Sequence, residues 1–168
     1  PIDFVNLMTY DLVSGYATVT GHHTPLHDYL PGQESTSKCV NWLINKKVPA
    51  KKLIIGAAMY ARVWENVPNN NNGLYQDGKF KQGLSYSLFT KFFSDTAGFK
   101  YYWDSDAKAP YYYSATKKLF ATFDDKRSIQ EKTGYIRNKK LGGIMFWELP
   151  DDLKKDGLVD EMSRGLKN

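Results

Sequence analysis

Three runs of this chain are dense enough in apolar, β-forming side chains to predict strands covered on both faces. They are residues 2–10, 53–60 and 143–147, and runs of this kind belong to parallel sheets flanked by helices. After the first run, Gly15, Gly21, Pro25 and Gly32 mark a long loop. Ser35 or Thr36 can then cap a helix in which Val40, Leu43 and Ile44 share a face, and Pro49 stops it. Strand, helix and strand in this order imply parallel pairing through a right-handed crossover. Before the third run, Ser128 and Glu131 have capping-box spacing, Ile129 and Ile136 point one way, and Gly142 follows the helix end. A last helix repeats apolar side chains at Leu158, Met162 and Leu166.

Residues 61–123 break this pattern. Asn69 to Asn72 with Gly73 form a turn-rich stretch, and Asp77-Gly78 predicts a hairpin turn between Leu74-Tyr75 and Phe80. Tyr101-Tyr102-Trp103 and Tyr111-Tyr112-Tyr113 read as aromatic strands joined by a turn that contains a proline. Phe89, Phe92 and Phe93 suggest a short helix. The stretch is expected to form a small α+β module inserted between 1–60 and 124–168, with its aromatics either making its own core or facing a ligand.

Composition narrows the function classes. Hydrophobic content of 42% argues against disorder, and no run approaches the roughly 20 apolar residues of a membrane span. The net charge of +5 comes from basic residues scattered as pairs, such as Lys46-Lys47, Lys51-Lys52 and Lys139-Lys140. That spread predicts a solvated surface, with neither nucleic acid nor membrane as partner. Cys39 has no second cysteine to pair with and falls in a helical pattern, where a small core residue is expected. His22, His23 and His27 have no acidic or cysteine neighbour at ligand spacing, so neither a metal nor another cofactor is expected. The sequence opens on Pro1 and enters a strand at once, with no charged-then-apolar leader, as a piece of a longer protein would.

Chemistry is suggested by what ends the strands. The first closes on Tyr10 and Asp11, and the third on Trp147 followed by Glu148. A phenol, a carboxylate and an indole at carboxyl strand ends occupy the place where α/β enzymes carry their sites, and suit a carbohydrate pocket. Taken singly, Met8 reads as core, Asp11 as a loop-capping carboxylate or a ligand contact, and Arg62 as a surface cation.

In order and spacing, these residues resemble the carboxy-terminal half of a glycoside hydrolase family 18 chitinase. Met8-Thr9-Tyr10-Asp11 is similar to the motif of that family's sixth barrel strand, and Gly21-His22 with Pro25-Leu26 to the loop after it. Met59 to Trp64 resembles the end of the seventh strand. Trp103-Asp104, the stretch Ala107 to Tyr111, and Phe123-Asp124-Asp125 resemble the insertion domain and its exit, and Gly142 to Trp147 the eighth strand.

The resemblance implies strands six to eight of a TIM (β/α)₈ barrel with a small α+β insertion domain. It implies hydrolysis of β-1,4-linked N-acetylglucosamine polymers, with the substrate's own acetamide as nucleophile, in a secreted or extracytoplasmic protein. Tyr10 would orient the acetamide and Asp11 would lie near the acid, as the catalytic pair. Met8, Tyr16, Tyr60, Arg62 and Trp147 would contact sugar. Tyr16 stands where the family often has Trp, and Ala61 where it usually has Gly. The family's general acid is a Glu ending a D-x-x-D-x-D-x-E motif on the fourth strand, and these 168 residues contain no such motif. Expected partners are therefore chitin or its oligosaccharides, and either the missing amino-terminal half of the barrel or a second copy of the chain. Two alternatives stay open: a chitin-binding lectin-like relative, and an assembly module pairing through open sheet edges.

Overall fold

The computed structural model describes residues 2–167 and contains two sheets. The first has three parallel strands, β1 (Val5–Leu7), β2 (Leu53–Ala58) and β8 (Gly143–Trp147), in the order β1-β2-β8. Leu7 lies opposite Ile55, and Ile55 opposite Ile144, so one register runs across the sheet. The ladder of β1 is shorter than the apolar run 2–10 predicts, and β1 pairs on one side only. Phe4 and Met8, which alternation would bury, are 56% and 70% exposed. That corrects the expectation of a strand covered on both faces.

Helix α1 (Thr36–Asn45) connects β1 to β2. It is capped by the Ser35 hydroxyl accepting from the Lys38 amide, as the sequence indicates. Its apolar side packs Val40 onto Leu53 and Ile55, with Leu43, Ile44 and Cys39 at the margin. Helix α3 (Lys126–Lys139) leads into β8. Its capping box is formed by Asp125 and Ser128 rather than by Ser128 and Glu131, because the helix begins three residues earlier than that spacing implies. Helix α4 (Leu158–Lys167) lays Leu158 and Met162 against Ile129 and Met59 and leaves Leu166 exposed.

The second sheet is antiparallel. It comprises β3 (Tyr60–Glu65), β4 (Lys79–Ser85), β5 (Lys100–Asp104), β6 (Ala109–Ser114) and β7 (Leu119–Thr122), in the order β4-β3-β7-β6-β5. The two aromatic runs pair as expected, with Tyr102 opposite Tyr111, but the proline lies inside β6 opposite Trp103 and not in the turn. Asp77-Gly78 does not turn a hairpin. Asp77 instead bridges to Val19, and the Gly78 amide donates to the Thr18 carbonyl. A short helix, α2 (Phe89–Phe92), places Phe89 over Phe123 in a core of stacked and edge-on rings.

The long loop after β1 binds the two sheets together. Its residues from Thr20 to Leu26 are buried, and the Leu26 amide donates to the Ala107 carbonyl of the β5–β6 turn. A buried loop must satisfy its polar groups internally. Here the Asp124 carboxylate accepts from the Thr24 hydroxyl, the Ala58 amide and the Lys132 ammonium, all at 3.0 Å or less.

Candidate active site

The carboxyl ends of β1 and β8 and the start of the antiparallel sheet enclose an open cleft of about 410 Å³. Met8, Tyr10, Asp11, Tyr60, Arg62 and Trp147 all line it. Residues separated by up to 139 positions are thus brought together because β1, β2 and β8 lie side by side and β3 leaves β2 after a single residue. Tyr16 is not among these residues. It projects from the loop, 97% exposed.

Tyr10 lies on β2 because Gly56 has no side chain. A Cβ there would stand 2.7 Å from the Leu7 carbonyl oxygen and 2.9 Å from the Tyr10 ring. The Tyr10 hydroxyl points at the Met145 sulfur, 4.0 Å away. Burial, and then the neighbouring Asp11 charge, push the Tyr10 phenol above its ordinary pKa, so it remains a donor at neutral pH.

Asp11 adopts a left-handed backbone, with φ of 57°. That turn aims its carboxylate into a three-sided cage. Arg62 donates from Nε to Oδ1 at 2.6 Å and from Nη2 to Oδ2 at 2.7 Å, and the Tyr60 hydroxyl donates to Oδ2 at 3.0 Å. Burial by itself would raise the Asp11 carboxyl. The Arg62 hydrogen bonds, with help from His23, outweigh it and hold the group well below the usual carboxylate range. The same burial and the Asp11 charge drive the Tyr60 phenol far upward. The Arg62 guanidinium also lies 4.7 Å from the centre of the Tyr60 ring, which fixes both side chains.

Trp147 stands at the tip of β8, 56% exposed, and its peptide to Glu148 is cis. Opposite it, β4 forms a wall from Gly83, Leu84 and Ser85. Gly83 faces Arg62 across the pair, and a Cβ there would come within 3.3 Å of Nη1. Ser85 donates to Asp151 at 2.5 Å, which leaves a second carboxylate on the rim.

Sequence reasoning did not assign Gly83, Leu84, Ser85 or Asp151 to the site. Asp151 carried a signal, a carboxylate just past a strand tip, while the β4 residues carried none. The histidines require a correction, since two of them do have acidic partners. His22 Nε2 lies 3.0 Å from Asp104, and His23 Nδ1 lies 3.6 Å from Asp11. His27 packs edge-on against Tyr135. Among the described residues, no group of three or more His, Cys, Asp or Glu side chains could hold a metal ion, and no helix is long and apolar enough to cross a membrane.

The sequence model for glycosyl hydrolases family 18 matches residues 1–152. The chain belongs to that family. Chitinase A1 of Niallia circulans is 33% identical over 173 residues, covering 92% of this chain and 24% of the relative. A family 18 N-acetylglucosaminidase from Paenibacillus barengoltzii superposes with a TM-score of 0.88 at 39% identity, over 98% of this chain and 49% of that one. A chitinase-like agglutinin from Robinia pseudoacacia, 28% identical, superposes with a TM-score of 0.82 over 98% of this chain and 47% of its own. The family 18 chain thus spans less than half the length of each of these three proteins.

Proposed function

We propose that this family 18 chain forms strands six to eight of a (β/α)₈ barrel, with residues 61–123 as its insertion domain. The parent protein would hydrolyse β-1,4-linked N-acetylglucosamine polymers. The observation that carries this reading is the convergence of Tyr10, Asp11, Tyr60, Arg62 and Trp147 on one cleft at the carboxyl ends of parallel strands. Three parallel strands in sequential order are what a consecutive part of such a barrel would contribute.

In the proposed reaction, the substrate's acetamide oxygen attacks its own anomeric carbon as the glycosidic bond breaks. The leaving oxygen takes a proton from a general acid, and water then opens the cyclic intermediate with net retention. Tyr10, kept protonated, donates to the acetamide and holds it in line. Trp147 offers an apolar floor to the reacting sugar. Asp11 stays ionised across the working range, paired with Arg62. Its part is to orient neighbouring groups and to lie near the acid.

The general acid is the Glu of the fourth-strand motif, which these residues do not include. It would come from the amino-terminal half of the parent, so the chain alone would be inactive. The exposed Phe4, Met8 and Leu149 fit burial against that half. The family resemblance supports an extracytoplasmic setting.

Likeness to the agglutinin favours a second reading, in which the parent binds chitin without cleaving it. Proton NMR of a freshly digested N-acetylglucosamine tetramer, using the full-length protein, separates the two. New reducing ends formed first as the β-anomer support the hydrolase. First-formed α-anomer contradicts retention, and binding with no product supports the lectin.

A further inference from the structure

Both peptide N–H groups of the strained turn at the head of the cleft end on one residue. The Leu12 amide donates to the His23 carbonyl at 3.0 Å, and the Asp11 amide donates to His23 Nδ1 at 3.4 Å. The same Nδ1 stands 3.6 Å from Asp11 Oδ1, beyond hydrogen-bond length but within reach of the charge. His23 is fully buried, and its ring lies 5.4 Å from the Tyr60 ring, the other group that grips Asp11. We propose that His23 is the positioning residue of Asp11, holding the left-handed backbone that aims the Asp11 carboxylate into the Arg62 fork.

The surroundings leave the imidazole little else to do. Its Nε2 is buried with no hydrogen-bond partner, so one nitrogen carries every polar contact the ring makes. The His23 amide is fixed by donating to the Thr122 hydroxyl at 3.2 Å, which anchors the residue to the end of β7. Charged groups that act on the ring are Asp11, Asp124 at the exit from β7, and Lys132 on α3. The latter two are paired with each other at 2.6 Å. Burial keeps the imidazole below its ordinary pKa, so the neutral ring is the working form. A neutral ring protonated on Nε2 keeps the Nδ1 lone pair free to accept from the Asp11 amide.

This role concerns catalysis only if the reading above holds, but its test needs no turnover. An Asn at position 23 carries a polar atom where Nδ1 stands, and a Gln carries one where Nε2 stands. The carboxyl of Asp11, labelled with ¹³C and assigned by Asp11→Asn, is titrated by NMR in the 168-residue chain and its variants. In the native chain and in His23→Asn, Asp11 remains ionised to the acid limit of folding. In His23→Gln and His23→Leu, its midpoint rises by about one pH unit or more, toward the ordinary carboxylate range. A Gln variant that titrates like the native chain overturns the proposal. So does an Asn variant shifted as far as the Gln variant, or one that unfolds where the Gln variant does not.

Discussion

Arg62 grips Asp11 with two nearly parallel hydrogen bonds, from Nε at 2.6 Å and from Nη2 at 2.7 Å, and so converts a loop carboxylate into a fixed wall of the cleft. A guanidinium suits this role because its rigid fork matches both carboxylate oxygens, whereas an ammonium is a single point charge. Arg62 reaches Asp11 from the first residues of the antiparallel sheet, so that sheet and the loop after β1 share one ion pair.

Removal of that fork should appear in the pH profile. Burial then acts against fewer opposing contacts, and the pKa that Arg62 holds down climbs toward the ordinary value. A group depressed in the folded state stabilises above its unfolded pKa and loses that contribution as pH falls through the folded one. Arg62→Met in the full-length protein should therefore move the acid limb of kcat/KM to higher pH and lower stability at neutral pH, with the difference from the native protein shrinking as pH falls through the native Asp11 range. An acid limb identical to that of the native protein would contradict the role given to the pair.

Tyr10→Phe removes the hydroxyl proposed to hold the acetamide and leaves the ring against Gly56 undisturbed. Turnover should fall by roughly 10-fold to 10³-fold, comparable to the loss of a preorganised donor, with little change in ground-state affinity. Steady-state kinetics on a chromogenic chitobioside would check this. An unchanged kcat with a raised KM would count against it.

Much of this arrangement was legible because it follows from local rules. Ser35 caps its helix and the aromatic runs pair, whereas the residues at 8, 10, 11, 60, 62 and 147 were grouped by the family resemblance, since Met8 and Arg62 taken singly read as core and surface. What was not legible depends on pairs far apart in the chain. Asp104 reaches His22 across 82 positions, and Lys132 reaches Thr24 across 108, with no local spacing to announce either. Asp77-Gly78 has the composition of a tight turn, yet Val19 from the incoming loop takes up the edge it would have closed on. Tyr16 marks the limit of reading a side chain's direction from a motif, since its loop turns it outward.

Trp147→Ala should cost affinity more than it costs the protein. The indole is half exposed in the chain and available to a sugar face, and burying such a surface is worth about 1.5–3 kcal/mol. Oligosaccharide binding measured by calorimetry should weaken by about 10-fold to 100-fold. The thermal midpoint should stay near that of the native protein. An unchanged Kd would remove Trp147 from the sugar floor.

Lys132→Met leaves Asp124 buried without its cation, 2.6 Å from where the ammonium stood. Breaking one side of a buried pair costs about 3–5 kcal/mol. The Asp124 contacts also tie Ala58, Thr24 and Ser128 together, so the junction of the two sheets should loosen first. Chemical denaturation with hydrogen exchange would measure both effects. A loss below about 1 kcal/mol would mean that the remaining hydrogen bonds satisfy the carboxylate unaided.

The proposed function divides the site, with substrate-orienting residues in this chain and the proton donor outside it. The most direct measurement is chromophore release from a chitobioside by the purified chain, alone and mixed with the amino-terminal half that carries the fourth-strand Glu. No release by the chain alone, and turnover when that half is supplied and abolished by its Glu→Gln substitution, is the result predicted. Steady release by the chain alone, proportional to its concentration and lost in Tyr10→Phe, would contradict the claim that its acid lies elsewhere.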